Sequence, residues 1–178
     1  MKNLKRVLFL MFLAAFSFAC LCGCGTVTTE EANEYLDEDS AVESGGGNAG
    51  ECTISIDCKT VLDNMPSLNS DKKGIIPEDG VILPETTVSF EEGDSVLDIL
   101  KKVTMDNKMQ MEFEDSPAYD GGYVNGICNL YEFDCGDLSG WKYFVNDWNP
   151  NYGCNNYIVQ DGDVIAWRYT CDSGEDLK

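Results

Sequence analysis

GGYVNGICNLYEFDCGDLSGWKYFVNDWNPNYGCNNYIVQDGDVIAWRYTC, residues 121–171, holds all three tryptophans, six of the eight tyrosines and four of the nine cysteines. Aromatic and β-branched residues interrupted by Gly, Asn and Asp favour short strands joined by tight turns. Residues 123–127, 141–145 and 164–170 are the strand segments. Asp161-Gly162, set between residues 157–159 and Val164-Ile165, predicts a two-residue type I′ hairpin turn.

Upstream segments complete the same core. In residues 52–58, Cys52, Ile54, Ile56 and Cys58 alternate with Thr53, Ser55 and Asp57, so one face of a first strand is apolar. Residues 59–84 carry Pro66, Pro77, Pro84 and Asp79-Gly80 and are read as loops. A second strand follows at 86–91, with Val88 and Phe90 inward. Ser95 is an N-cap with Asp98 in the box position three residues on. Val96, Ile99, Leu100 and Val103 then share one helix face, with Lys101 and Lys102 outside. Met109, Met111 and Phe113 alternate with Gln110, Glu112 and Glu114, which predicts another strand. The class is α+β: a β-rich single domain over residues 51–173, with a curved, mostly antiparallel sheet, one helix packed on it and disulfide staples.

Residues 1–23 have the parts of a secretory signal: basic MKNLKR, then an apolar run over 7–19. About 13 apolar residues fall short of the roughly 20 that a membrane-spanning helix needs. Leu21-Cys22-Gly23-Cys24 resembles the bacterial lipobox. That resemblance implies a diacylglycerol on Cys24 and durable anchoring in a bilayer at the extracytoplasmic face of the bacterial cell membrane. Residues 24–50 are acidic, end in Gly and Ser, and read as a disordered tether; 174–178 form a tail. With 12 Lys and Arg against 32 Asp and Glu, the net charge is -20. Nucleic acid, which needs a basic surface, is excluded as a partner.

Six cysteines follow the lipobox: Cys52, Cys58, Cys128, Cys135, Cys154 and Cys171. An even number in an exported chain predicts disulfides. Cys52 and Cys58 are six residues apart on one strand, about 20 Å, whereas a disulfide needs Cα atoms within about 7 Å. The pairings expected are Cys58 with Cys171 and Cys135 with Cys154. No C-x-x-C pair and no histidine supports zinc.

The absence of histidine also removes Ser-His-Asp and Cys-His nucleophile systems. Asp134, Asp137, Asp161 and Asp163 could in principle supply a carboxylate pair or calcium ligands. Asp beside Gly, however, is first a turn former, and no EF-hand order is present. No catalytic residue, metal site or catalytic cofactor is assigned, and the chain is read as a non-enzyme. What remains is a set of rings, Trp141, Tyr143, Trp148, Tyr152 and Tyr157, interleaved with Asn146, Asn149, Asn151, Asn155 and Asn156. This mixture suits a shallow site for a large, partly apolar ligand or a protein contact. Period two would equally place Trp141, Tyr143 and Val145 together in the core, with Trp148, Asn149 and Tyr152 on an exposed loop.

Four motifs in order carry a resemblance: Ser95-Val96-Leu97-Asp98-Ile99-Leu100, Gly122-Tyr123-Val124-Asn125-Gly126-Ile127, Ser139-Gly140-Trp141-Lys142-Tyr143-Phe144-Val145-Asn146, and the Tyr157 to Tyr169 run with its Asp161-Gly162-Asp163. Residues 88–171 resemble the C-terminal β-domain of transcobalamin and intrinsic factor, and the related domain of unknown function in exported proteins of Gram-positive bacteria. The resemblance implies a binding module for a corrinoid such as cobalamin. It implies contacts near Gly122-Tyr123 and near Gly140-Trp141, with Gly122 and Gly140 allowing close backbone approach; from the aromatic spacing, Tyr143, Trp148 and Tyr152 join Tyr123 and Trp141 as candidate apolar contacts. The alternative is a cell-surface module contacting a cell-envelope protein or a glycan, with no small-molecule ligand.

Overall fold

Cys52, Ile54 and Ile56 turn to one side of β1 (Gly50–Asp57) and are buried; Thr53, Ser55 and Asp57 turn to the other and are half-exposed. The alternation legible in the sequence is therefore the alternation in space. This is a computed structural model, and it describes residues 49–116 and 121–177. The expected signal, Cys24 as the expected acylation site and nearly all of the expected tether lie outside the described residues. Gly50, assigned above to the tether, is already the first residue of β1.

After β1 the chain forms α1 (Lys59–Asp63), a 3-10 turn at Ser70–Lys72 and β2 (Val81–Phe90). Then come α2 (Val96–Asp106), β3 (Met111–Ser116), β4 (Gly121–Ile127), β5 (Leu130–Tyr131), β6 (Gly140–Val145) and β7 (Val164–Thr170). The strands form two sheets where one curved sheet was expected: β2-β1-β7-β6 and β3-β4-β5. Pairing is antiparallel except between β1 and β7, which run parallel. The apolar piece at Val81 to Leu83, read as loop, starts β2, which passes through Pro84. Proline is tolerated there because β2 is an edge strand, and the register shifts between Ile54↔Thr86 and Ile56↔Leu83.

Helix α2 starts as its sequence specifies. Ser95 Oγ accepts from Asp98 N–H at 3.2 Å, and Asp98 Oδ2 accepts from Ser95 N–H at 3.0 Å. Val96, Leu97, Ile99, Leu100, Val103 and Thr104 are all buried, so the apolar stripe is wider than the four positions predicted. The strand expected around Met111 and Phe113 forms as β3. A register shift between Glu112 and Phe113 turns the Phe113 ring outward, where Lys101 Nζ sits 4.7 Å from the ring centroid.

The predicted hairpin at Asp161-Gly162 does not form. Of the two, only Gly162 has positive φ (82°), the pattern of a type II turn, and residues 157–159 add no strand to β7. Both sides of β7 are already taken by β1 and β6. The type I′ pattern instead occurs twice elsewhere, at Cys128-Asn129 (φ 51° and 61°) between β4 and β5, and at Asn146-Asp147 (φ 52° and 63°).

Two aromatic side chains join the sheets. Trp141 and Tyr169 meet edge to face at 5.2 Å. Trp141 Nε1–H donates to the Leu130 carbonyl at 2.9 Å, and Tyr169 Oη–H donates to the Tyr131 carbonyl at 2.7 Å. Both acceptors belong to β5, so the polar tips of β6 and β7 side chains hold the second sheet. Each buried ring also contributes on the order of 2 kcal/mol through area removed from water.

The expected disulfide staples are absent: all six cysteines are free thiols. The two proposed pairings are corrected by position. Cys171 Sγ lies 3.7 Å from Thr60 Oγ1 and Cys135 Sγ 3.6 Å from the Asn64 carbonyl, so these two thiols neighbour one another over α1. Cys154 Sγ instead faces the Gly122 carbonyl at 3.4 Å, away from Cys135, and the thiol acting on Cys58 is Cys128. Pairing across a three-dimensional core cannot be deduced from chain spacing.

Burial pushes Cys58 and Cys154 up to about 12 and Cys52 up to about 11. A folded-state value above the ordinary thiol value means the folded state holds its protons more tightly. The associated stability is fully present below about pH 9 and is lost as pH rises toward the folded-state values. The urea midpoint of the chain is expected to be level between about pH 6 and 8 and to fall above about pH 9; a midpoint that climbed there would contradict the buried-thiol assignment.

Candidate functional site

Strands β4 and β6 face each other across the gap between the sheets without pairing. The space between them is a cleft of about 330 Å³. Gly122, Tyr123 and Val124 form one wall, Trp141 and Tyr143 the other, and Trp167 lies beneath. Residues 149–154 close the end, with Tyr152 on the cleft.

The closing loop is held from both sides. Asn149 Nδ2–H donates to the Tyr143 carbonyl at 2.8 Å, and Tyr143 Oη–H donates to the Tyr152 carbonyl at 3.0 Å. Val145 and Trp148 exchange main-chain hydrogen bonds at 2.8 and 2.9 Å around the Asn146-Asp147 turn. Asn146 then spans to β7, with Nδ2–H donating to Asp163 Oδ1 at 2.8 Å and Oδ1 accepting from Val164 N–H at 3.0 Å. At the far end, Asn155 Oδ1 accepts from Gly122 N–H at 2.5 Å. Burial raises the Tyr143 phenol well above the usual tyrosine value, so it stays a neutral donor.

Of the seven candidate residues, Gly122, Tyr123, Trp141, Tyr143 and Tyr152 line this one cleft. Gly140 does not; it lines a second, neighbouring cleft of about 250 Å³, which shares Tyr123, Trp141 and Lys142 with the first. Trp148 lines neither. It stands outside, 53% exposed, with its ring edge-to-face to Tyr152 at 6.1 Å. Trp141 and Tyr143 are only 5% and 6% exposed, so their rings belong to the core and the cleft meets their edges and main chain. Nor does Gly122 open the site to a ligand: a Cβ there would meet Leu97 Cδ2 at 3.3 Å and Asn155 Oδ1 at 3.4 Å. The neighbour it admits is the protein itself.

Sequence reasoning missed Asn149 as a fastener and Trp167 as the cleft floor. Trp167 pairs with Tyr143 across the strands, their rings 5.6 Å apart; only the strand register brings the two together. The acidic candidates are consumed by structure. Asp134 accepts from Tyr131 N–H at 2.8 Å and Asn69 Nδ2–H at 2.9 Å, and lies 3.3 Å from Lys72 Nζ. Asp163 accepts from Asn146 and from Gln160 N–H, and Asp161 from Glu51 N–H. Asp137 reaches the second cleft, and Asp161 lines a third with Ile158, Val159 and Gln160. Among the described residues no group of three or more acidic or cysteine side chains is placed to hold a metal ion.

Residues 93–171 match the family described as a domain of unknown function, DUF4430. The match falls within the region that carries the four motifs, and the resemblance stated above is borne out. No curated protein matches the chain. Two solved structures are similar to it. One is haptocorrin in complex with Cbi, 14% identical over 68% of this chain and 25% of that chain, with a TM-score of 0.47. The other is a protein from Ruminococcus gnavus ATCC 29149 named as a candidate metal-binding protein. It is 13% identical over 68% of this chain and 96% of that chain, with a TM-score of 0.40. The similarity spans only about a quarter of haptocorrin.

Tyr143→Phe removes the hydrogen bond to the Tyr152 carbonyl and leaves the ring in place. A loss of about 1 kcal/mol in unfolding free energy is expected, with faster amide exchange confined to residues 148–154 in hydrogen-exchange mass spectrometry. Unchanged exchange there would show that Tyr143 does not hold the loop.

Proposed function

We propose that this chain is a membrane-tethered, extracytoplasmic binding module without catalytic activity, and that its cleft takes a large, flat, partly apolar ligand, a corrinoid such as cobalamin being favoured. One observation carries the reading: five of the seven candidate residues, drawn from three separate segments of the chain, converge on one cleft. Its walls are aromatic rings and main chain, with a small number of hydrogen-bonding groups among them, the usual composition of a ligand pocket. Asp134, Asp161 and Asp163, the acidic candidates nearest in sequence, accept hydrogen bonds within turns and loops. The cleft is open, so a ligand wider than its volume would rest across it, with Tyr152 and the exposed Trp148 at its edge.

Tethering rests on the sequence. Acylation of Cys24 would place the module outside the membrane, with residues 24–50 as spacer, and the -20 net charge would keep it off an anionic bilayer surface.

Titration of the chain with cobalamin, followed by tryptophan fluorescence and heat, should give saturable binding at micromolar or tighter Kd, about -8 kcal/mol. Tyr152→Ala should weaken it about ten-fold with the fold intact. No binding up to millimolar cobalamin overturns the corrinoid reading in favour of a protein or glycan partner. Cys24→Ser should move the protein from the membrane fraction to the medium or soluble fraction; retention in the membrane would refute acylation at this residue.

A further inference from the structure

The cleft wall formed by β6 is the free edge of the first sheet, and its main-chain groups can be assigned by direction. Asn146 N–H donates to the Val164 carbonyl at 2.9 Å. In an antiparallel pair the residues that exchange bonds alternate with those that do not. The bonded positions of β6 are therefore Phe144, Lys142 and Gly140, opposite Ala166, Arg168 and Thr170. Trp141, Tyr143 and Val145 turn their N–H and C=O groups the other way, toward β4 and the cleft.

Three of these six outward groups are already engaged. Both groups of Val145 bond to Trp148, and the Tyr143 carbonyl accepts from Asn149 Nδ2–H at 2.8 Å. The Tyr143 N–H and both the N–H and C=O of Trp141 remain. No strand pairs with β6 on this side, and no described side chain or loop bonds to these three groups. Main-chain groups buried this deeply are expected to have partners.

We infer that the ligand of this cleft carries a carboxamide, and that Trp141 receives it through its main chain: N–H to the amide oxygen, and C=O from the amide NH2, with Tyr143 N–H as a further donor. The N–H and C=O of one extended residue lie side by side and point the same way, which matches the paired acceptor and donor of a carboxamide. The protein displays the same chemistry two residues on, where the Asn149 carboxamide bonds to the Tyr143 carbonyl. It does so again across the cleft, where Asn155 bonds to Gly122 N–H. At Trp141 the ligand supplies what Asn149 supplies at Tyr143. The inference rests on the reading of this cleft as a binding site and adds the functional group it selects. An ester of the same shape offers an acceptor alone and leaves the Trp141 carbonyl unpaired; a carboxylate does the same and meets a strongly acidic protein.

The test uses benzamide and methyl benzoate as probes on the full 15N-labelled chain, with the main-chain amides of Trp141 and Tyr143 as the readout. Benzamide should shift both resonances saturably, and methyl benzoate should need an about ten-fold higher concentration for the same shift. Equal response to the two probes, or no response at these two amides, overturns the inference. Cobalamin titrated in the same sample separates the two claims. Shifts with benzamide but no cobalamin binding overturn the corrinoid reading alone. Cobalamin binding that leaves these amides unmoved, with benzamide silent, overturns the carboxamide inference alone.

Discussion

The structure depends on one joint, the Trp141–Tyr169 pair with its two hydrogen bonds to β5. Each ring is fully committed. Its face and edge pack into the common core, and its polar tip donates to a main-chain carbonyl of β5. Because both tips reach β5 near the β4–β5 turn, the second sheet is pinned to the first at one end. Away from that end β4 and β6 are not paired. A sheet closed by continuous pairing would have no such gap; one joined by side chains at a single end does.

That gap is the candidate site, and its character follows from what builds it. Two strand edges contribute main-chain donors and acceptors, core aromatics contribute ring edges, and the Asn146–Asn155 region contributes carboxamides that stitch the loop to both strands. Acidic residues are abundant in the chain, yet those nearest in sequence serve as turn acceptors for Tyr131, Asn146 and Glu51. The first cleft is thus lined by aromatic, Asn and main-chain groups, while Glu132 and Asp137 lie on its neighbour.

The buried thiols belong to the same economy of packing. Cys52, Cys58 and Cys154 behave as small apolar residues within the core, and burial keeps them protonated. Cys135 and Cys171 sit over α1, a helix of five residues inside a stretch whose prolines disguised it as loop.

Much of the local structure was determined by the sequence alone: the inward face of β1, the Ser95 and Asp98 start of α2, and the strand positions of β4, β6 and β7. These depend on alternation, capping and turn chemistry, which act between residues a few positions apart. Only the tertiary structure decided the parallel pairing of β1 with β7, the division into two sheets, the turn of Phe113 outward and the absence of a hairpin at Asp161-Gly162. It also decided which edge of β6 is open. Each of these depends on contacts such as Thr53 N–H to the Asp163 carbonyl, 110 residues apart, and a strand cannot announce from its own residues which neighbour will occupy its edge.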